Sequence, residues 1–162
     1  LVDPPADEPV RRVQDALERS GFGLRVVYVP QSARTAQDAA RALGCDLNCI
    51  VKSLVFRGRE TGKTYLVEVG GAHRADVAAL AQAAGENVEM AAPDYVLAQT
   101  GFPVGGVAPV GHLNPVETLI DETLLAYGDI WASAGSDRAV FRLTPAQLIQ
   151  LTGGKPVRVA TE

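Results

Sequence analysis

Residues 100–112 read Thr-Gly-Phe-Pro-Val-Gly-Gly-Val-Ala-Pro-Val-Gly-His. Four glycines and two prolines fall in these thirteen positions, and His112 is the one ionisable side chain. No regular helix can run through such a segment. Glycine opens backbone conformations closed to other residues and lets a ligand approach the main chain. Pro103 and Pro109 fix φ and remove two N–H donors. The N–H groups of Gly105, Gly106 and Val107 are then candidates for a concavity that binds an anion or a carbonyl oxygen. A tight surface loop between two elements fits the same composition.

The flanking segments carry ordinary signals. Apolar Val10, Val13, Ala16 and Leu17 recur at helical spacing, and Gly21 closes that helix. Residues 24–29 read as a strand ending at Pro30, and Thr35 caps a helix that stops at Gly44. Residues 49–57 and 64–69 read as strands joined by a polar turn, an antiparallel hairpin. Asp76 opens a helix closed by Gly85, residues 88–90 form a short strand, and Pro93 opens another helix. Strands follow at 118–121, 129–133 and 139–143, with one helical turn at 122–126. Thr144, Pro145 and Gln147 make a capping-box start for a last helix, and residues 157–159 read as an edge strand. Hairpins mixed with short helices predict a mixed or antiparallel sheet with helices around it, not a doubly wound parallel sheet.

The 162 residues predict a single domain, residues 1–162, with residues 1–8 frayed. The first residue is Leu1, so a trimmed start or missing upstream residues are expected. A net charge of −4 argues against a DNA-coating protein. A local basic set remains, including Arg34, Arg41, Lys52, Arg57, Arg59 and Lys63. No apolar run reaches bilayer length and no signal peptide is visible, so no membrane partner and a cytoplasmic site are expected. Two cysteines, Cys45 and Cys49, are too few for a disulfide framework.

Lys52 stands out chemically. Strand alternation puts Ile50, Lys52, Leu54 and Phe56 on one side. An ammonium among large apolar groups needs a partner or a task if buried, or it snorkels to water near the strand end. Cys45, Cys49, His73 and His112 are the soft metal ligands, and their spacing is a weak match to zinc, so no metal or other cofactor is expected. Cys49 with a histidine is a possible thiol pair, although a small cysteine at a strand start is more often core. Gly153-Gly154-Lys155 runs into Pro156 and is no P-loop. Glu68 reads as solvent-facing, opposite Tyr65, Val67 and Val69, and Asp121 reads as a cap.

Four places, in order, carry a family resemblance. They are Ala42-Leu-Gly-Cys with Ile50-Val-Lys-Ser-Leu-Val-Phe, Tyr65-Leu-Val-Glu-Val-Gly-Gly with Arg74-Ala-Asp, residues 100–109, and Leu119-Ile-Asp with Trp131-Ala-Ser-Ala-Gly. Over residues 28–159 the chain resembles the YbaK/EbsC family. This family includes freestanding aminoacyl-tRNA deacylases and the editing insertion domain of bacterial prolyl-tRNA synthetases.

The resemblance implies an α+β fold: a strongly curved, largely antiparallel mixed β-sheet, barrel-like and surrounded by short helices. It implies trans-acting hydrolysis of a mischarged tRNA, probing the acceptor end of tRNA(Pro) or a related tRNA carrying Ala, Ser, Thr or Cys. Editing of this kind exists because binding discriminates poorly between small side chains. Prolyl-tRNA synthetase is an implied partner, and a monomer or weak dimer is expected. Carried over by motif, Lys52 binds acceptor-end phosphate or ribose, and Ser53 adjoins it. The backbone of Gly105, Gly106, Val107 and Pro109 holds the aminoacyl carbonyl or ribose. Tyr28 and Ser133 line the pocket. His112, three residues past Pro109, matches no motif position and is expected from its place alone to supply a further polar contact. Cysteinyl-tRNA deacylases have an acidic residue where this chain has Val140, a departure that puts strict cysteine specificity in doubt. A non-catalytic tRNA-binding or synthetase-associated module is the alternative reading.

Overall fold

The computed structural model describes residues 7–30 and 35–162. The fraying expected at residues 1–6 and the position of Arg34 lie outside the described residues. Glu8 departs from that expectation, because it opens helix α1 (Glu8–Ser20) behind Asp7. α1 buries Val10, Val13 and Leu17 on one stripe, each contributing about 2 kcal/mol by removal from water. Gly21 ends the helix in left-handed backbone, φ 76°.

The next elements are β1 (Val26–Tyr28), α2 (Ala36–Leu43), β2 (Val51–Gly58) and β3 (Thr64–Gly70). β4 (Arg74–Ala75), α3 (Val77–Ala84), β5 (Val88–Met90) and α4 (Pro93–Thr100) follow. The chain ends with β6 (Glu117–Asp121), β7 (Ile130–Ser133), β8 (Ala139–Leu143), α5 (Pro145–Thr152), β9 (Lys155–Val157) and β10 (Ala160–Thr161). The capping box at Thr144 forms as expected, with Thr144 Oγ1 accepting from Gln147 N–H and Gln147 Oε1 accepting from Thr144 N–H. The strand expected from Cys49 starts later. Asp46 caps a single 3-10 turn, Leu47–Cys49, which takes its first residue, and Ile50 makes only an isolated bridge. The last expected strand splits: β9 ends at Val157, Val159 turns inward, and β10 pairs with β4.

The strands form three sheets, in orders β5-β2-β3-β6-β9, β1-β8-β7 and β10-β4. The β2–β3 hairpin is antiparallel as expected, whereas β3–β6 and β6–β9 are parallel. The fold is mixed α+β, but one barrel-like, strongly curved sheet is not what forms. The five-stranded and three-stranded sheets meet at β2 and β7 through a bridge between Ile50 and Trp131. Beyond that bridge their edges part, and no closed ladder results. Among the described residues no helix is long and apolar enough to cross a membrane.

The five-stranded sheet has a core on each face. Val51, Val55, Leu66 and Ile120 face the larger cluster with α1, β7 and β8. Phe56, Tyr65, Val67, Val69 and Leu119 face a smaller one with Leu80 and Val159. β3 lies in the middle, and all seven of its residues are buried.

The glycine-rich segment is held by Arg12 of α1. Its guanidinium donates to the carbonyls of Gly111 at 2.8 Å and Gly101 at 3.0 Å, pairs with Glu8, and stacks 4.7 Å from the Phe102 ring centre. A cation here also suits the C-terminal end of α4, where free carbonyls concentrate negative charge. We predict that Arg12→Leu lowers stability by about 2 kcal/mol, since carbonyls bonded to a charged donor lose their partner. Urea denaturation measures this, and an unchanged midpoint would show that the clamp is dispensable.

Candidate functional site

β2 pairs along its length with β3 on one edge, but with β5 only over Phe56, Arg57 and Gly58 on the other. Its remaining outer edge faces a cleft of about 390 Å³. The size is that of a small-molecule site. The walls are mostly apolar, with Val29, Ala39, Val55 and Val96 among them. Met90 and Val104 line it although each is more than half exposed, which places apolar groups at the rim.

Lys52, Ser53, Gly105, Val107 and Ser133 all line this one cleft. Lys52 and Ser53 are neighbours on β2 and so have opposite facing. Both reach the cleft because it opens along the strand's edge. The Lys52 ammonium donates to the carbonyl of His73. Burial, helped by nearby Arg74, lowers its pKa. Ser133 Oγ donates to the Gly105 carbonyl at 3.4 Å, tying β7 to the glycine loop.

The loop itself is a turn over residues 103–106. Gly106 N–H donates to Pro103 O at 2.9 Å, and Gly105 takes φ 89°, the left-handed position that a type II turn requires. Gly106 N–H is therefore spent inside the turn, which corrects its expected role as a free donor. Gly105 and Val107 N–H have no acceptor among the described residues. Gly106 serves packing instead. A Cβ there would come within 2.8 Å of the Ser136 backbone, and its carbonyl accepts from Gly135 N–H at 3.0 Å.

Three expected residues lie elsewhere. Tyr28 packs in the larger core with Arg138 over its ring at 5.4 Å. The next residue, Val29, faces the cleft instead, as strand alternation requires. Pro109 and His112 line a separate, more open groove of about 710 Å³. His112 Nε2 shares a 2.7 Å hydrogen bond with Ala108 O, and its ring meets Phe102 edge-on at 6.0 Å. Burial lowers its pKa, with the Ala108 bond opposing and Arg12 assisting. The smaller cleft is the better candidate, because it gathers unlike polar groups from three separate segments.

Sequence reasoning missed two groups here. Asp137, between the strands expected at 129–133 and 139–143, puts an exposed carboxylate at the cleft. Glu68, read as solvent-facing, is fully buried. It pairs across the hairpin with Ser53, and Ser53 Oγ and Glu68 Oε2 share a 2.7 Å hydrogen bond. Its other oxygen, Oε1, is buried with no partner. Desolvation raises the Glu68 pKa to about 8, and the Ser53 bond opposes this only in part. The sequence held a signal. Leu66 shares the face of Glu68, and the facing positions Val51 and Val55 are apolar, as expected of a strand covered on both sides.

Cys45 and Cys49 are free, and burial raises both thiol pKa values. Among the described residues no three His, Cys, Asp or Glu side chains gather to hold a metal ion.

Residues 30–151 match the family profile of the aminoacyl-tRNA editing domain. The chain belongs to this family. A crystal structure of a protein proposed as a trans-editing enzyme for prolyl tRNA synthetase is similar, with a TM-score of 0.92 and 45% identity, over 98% of this chain and 100% of that one. The protein YwhH of Bacillus subtilis (strain 168) is 33% identical over 76% of this chain and 78% of its own length. EbsC of Enterococcus faecalis, named as a candidate Cys-tRNA(Pro)/Cys-tRNA(Cys) deacylase, is 32% identical over 79% and 78%. The resemblance to the YbaK/EbsC family holds.

Glu68 makes stability depend on pH with a definite sign. Its folded pKa is raised from 4.5 to about 8, so the folded chain keeps a proton that the unfolded chain releases between these values. Stability contributed by the protonated form is fully present below about pH 4.5, falls toward about pH 8, and is level beyond. Glu68→Gln is expected to remove that fall, a gain on the order of a few kcal/mol at the alkaline end. Denaturation of both proteins across the range checks it, and parallel curves would contradict it.

Proposed function

We propose that this chain hydrolyses, in trans, the ester joining a wrongly attached small amino acid to the terminal ribose of a tRNA. The names of its relatives favour a tRNA charged by prolyl-tRNA synthetase, and the cleft suits Ala, Ser, Thr or Cys. The observation that carries the reading is the convergence of Lys52, Ser53 and Ser133 with the free N–H groups of Gly105 and Val107 around one cleft of about 390 Å³.

The chemistry follows from that arrangement. The acceptor end brings phosphate and ribose, and Lys52 supplies the positive charge that orients them. Asp137 offers a carboxylate to the α-ammonium group. The ester carbonyl faces the Gly105 and Val107 N–H groups, with His112 and Tyr28 outside the first contact. Water attacks the acyl carbon and gives up a proton as the new C–O bond forms. Negative charge moves to the carbonyl oxygen, where each preorganised donor is worth about 2.7–4 kcal/mol. Collapse expels the ribose oxygen, which takes up a proton, and the tRNA leaves uncharged. No protein nucleophile is needed, and Cys49, kept as a thiol by burial, is a poor one.

A panel of mischarged tRNAs assayed for release of the amino acid tests the proposal. Lys52→Ala is expected to lower kcat/KM by about a hundredfold, and Cys49→Ala to leave it unchanged. A wild-type protein that binds these tRNAs but hydrolyses none is instead a non-catalytic module, and the proposal falls.

A further inference from the structure

Glu68 is a carboxyl group with one partner, and that partner lines the cleft. It is fully buried, 2.7 Å from Ser53 Oγ through Oε2, with Oε1 unpartnered. A buried ionised carboxylate with an empty lone-pair side is costly. A protonated one is cheaper, and only one place for the proton satisfies it. On Oε1 the proton would be a buried donor with nothing to bond. On Oε2 it bonds to Ser53 Oγ and leaves Oε1 as a bare carbonyl oxygen, the milder deficit. Ser53 Oγ then accepts from Glu68, and its own O–H is free to donate into the cleft. An ionised Glu68 reverses this, because Ser53 must give its proton to the carboxylate and can only accept from the cleft side.

We propose that Glu68 is a positioning residue whose acid form turns the Ser53 hydroxyl toward the cleft as a hydrogen-bond donor to the aminoacyl ester oxygen. This rests on the ester-hydrolysis reading of the cleft. The donor adds to the Gly105 and Val107 N–H groups where negative charge develops in the reaction. An acceptor at the same place would repel that charge.

The surroundings leave Glu68 to titrate alone. The elements packed around it offer apolar groups on this face: Val51 and Val55 of β2, Leu66 of β3, Ile120 of β6, and Leu124 of a second 3-10 turn, Glu122–Ala126. Lys52 and Asp121, on the same or adjoining strands, have the opposite parity and bond on the far side to His73 O and Val159 N–H. Arg57 and Glu117 are exposed toward the other end of the sheet, and Glu122 and Asp129 are exposed at the surface. Burial raises its pKa to about 8 against the opposing Ser53 bond.

The test is the pH dependence of enzymatic deacylation, corrected for spontaneous ester hydrolysis, together with a carboxyl titration by carbon NMR on glutamate-labelled protein. With a pKa of about 8, the wild-type rate is expected to fall about tenfold from about pH 7 to about pH 9 as the acid form is lost. Glu68→Gln places an amide donor against Ser53 at every pH, so the alkaline fall disappears. Ser53→Ala is expected to be slower and also to lack the fall, and its Glu68 carboxyl should titrate higher than in wild type because the opposing bond is gone. A Glu68→Gln protein that keeps the wild-type alkaline limb overturns the proposal. So does a Glu68 carboxyl that titrates near the ordinary value of about 4.3. Wild-type protein inactive on the whole panel would overturn the ester-hydrolysis reading and, with it, the catalytic part of this proposal. The Ser53→Ala shift in the carboxyl titration would then still decide the pairing of Glu68 with Ser53.

Discussion

β2 has two unlike edges, and the cleft exists because of the difference. On one side it is laddered to β3 along seven consecutive pairs. On the other, β5 covers three residues and β7 touches at one bridge. Between those contacts the strand leaves backbone groups unpaired by any ladder, and Ser53 sits in that gap. An open strand edge is ordinarily a hazard, since its N–H and C=O groups invite another chain. Here α2, the glycine loop and the end of β7 close over it and convert the edge into a wall of a small chamber. Two successive side chains of opposite facing, Lys52 and Ser53, can serve one site only because it lies at an edge.

The far wall depends on two glycine turns that touch. Gly106 has Ser136 backbone where a side chain would be, and a Cβ on Gly135 would stand 3.0 Å from the carbonyl of Pro9 in α1. The Gly135 to Gly106 hydrogen bond locks the pair. α1 thus does two jobs through one face, backing the turns near its start and clamping the loop's ends with Arg12. The turn that carries Gly105 and Val107 is thereby packed against residues 135–136, and its flanks are tied to α1.

The interior polarity of the sheet is economical. Glu86 anchors the β2–β3 turn: it accepts from Tyr65 OH, Thr61 Oγ1 and the N–H groups of Glu60 and Thr61. Those donors draw its pKa down to about 2, while burial and this carboxylate push Tyr65 up to about 12. Glu68, one strand face away, has a single hydroxyl partner and moves in the opposite direction. The two glutamates differ both in depth of burial and in the number of donors aimed at them, and the two differences together drive their pKa values apart.

Local chemistry wrote much of the fold into the chain. Helix starts at Thr35, Asp76 and Thr144 and stops at Gly44, Gly85 and Gly153 follow from side chains that bond their own backbone and glycines that take left-handed φ. The hairpin of β2 and β3 was likewise legible, as were the glycine turn and the family. What was not legible depended on which side of each strand another layer would cover. Alternation along β3 gave Glu68 a face but not its burial, and the two-residue pairing of β4 with β10 has no sequence period to reveal it. Gly106 looked like a donor until the turn used its N–H, and Tyr28 looked like pocket until β1 turned it into the core. Pro109 and His112 both fell on another groove, because the segment leaves the cleft after Val107. The helix starts and stops could be read from the chain because their bonds are local. Which polar groups share the cleft could not, because burial and charge state depend on residues far away in the chain.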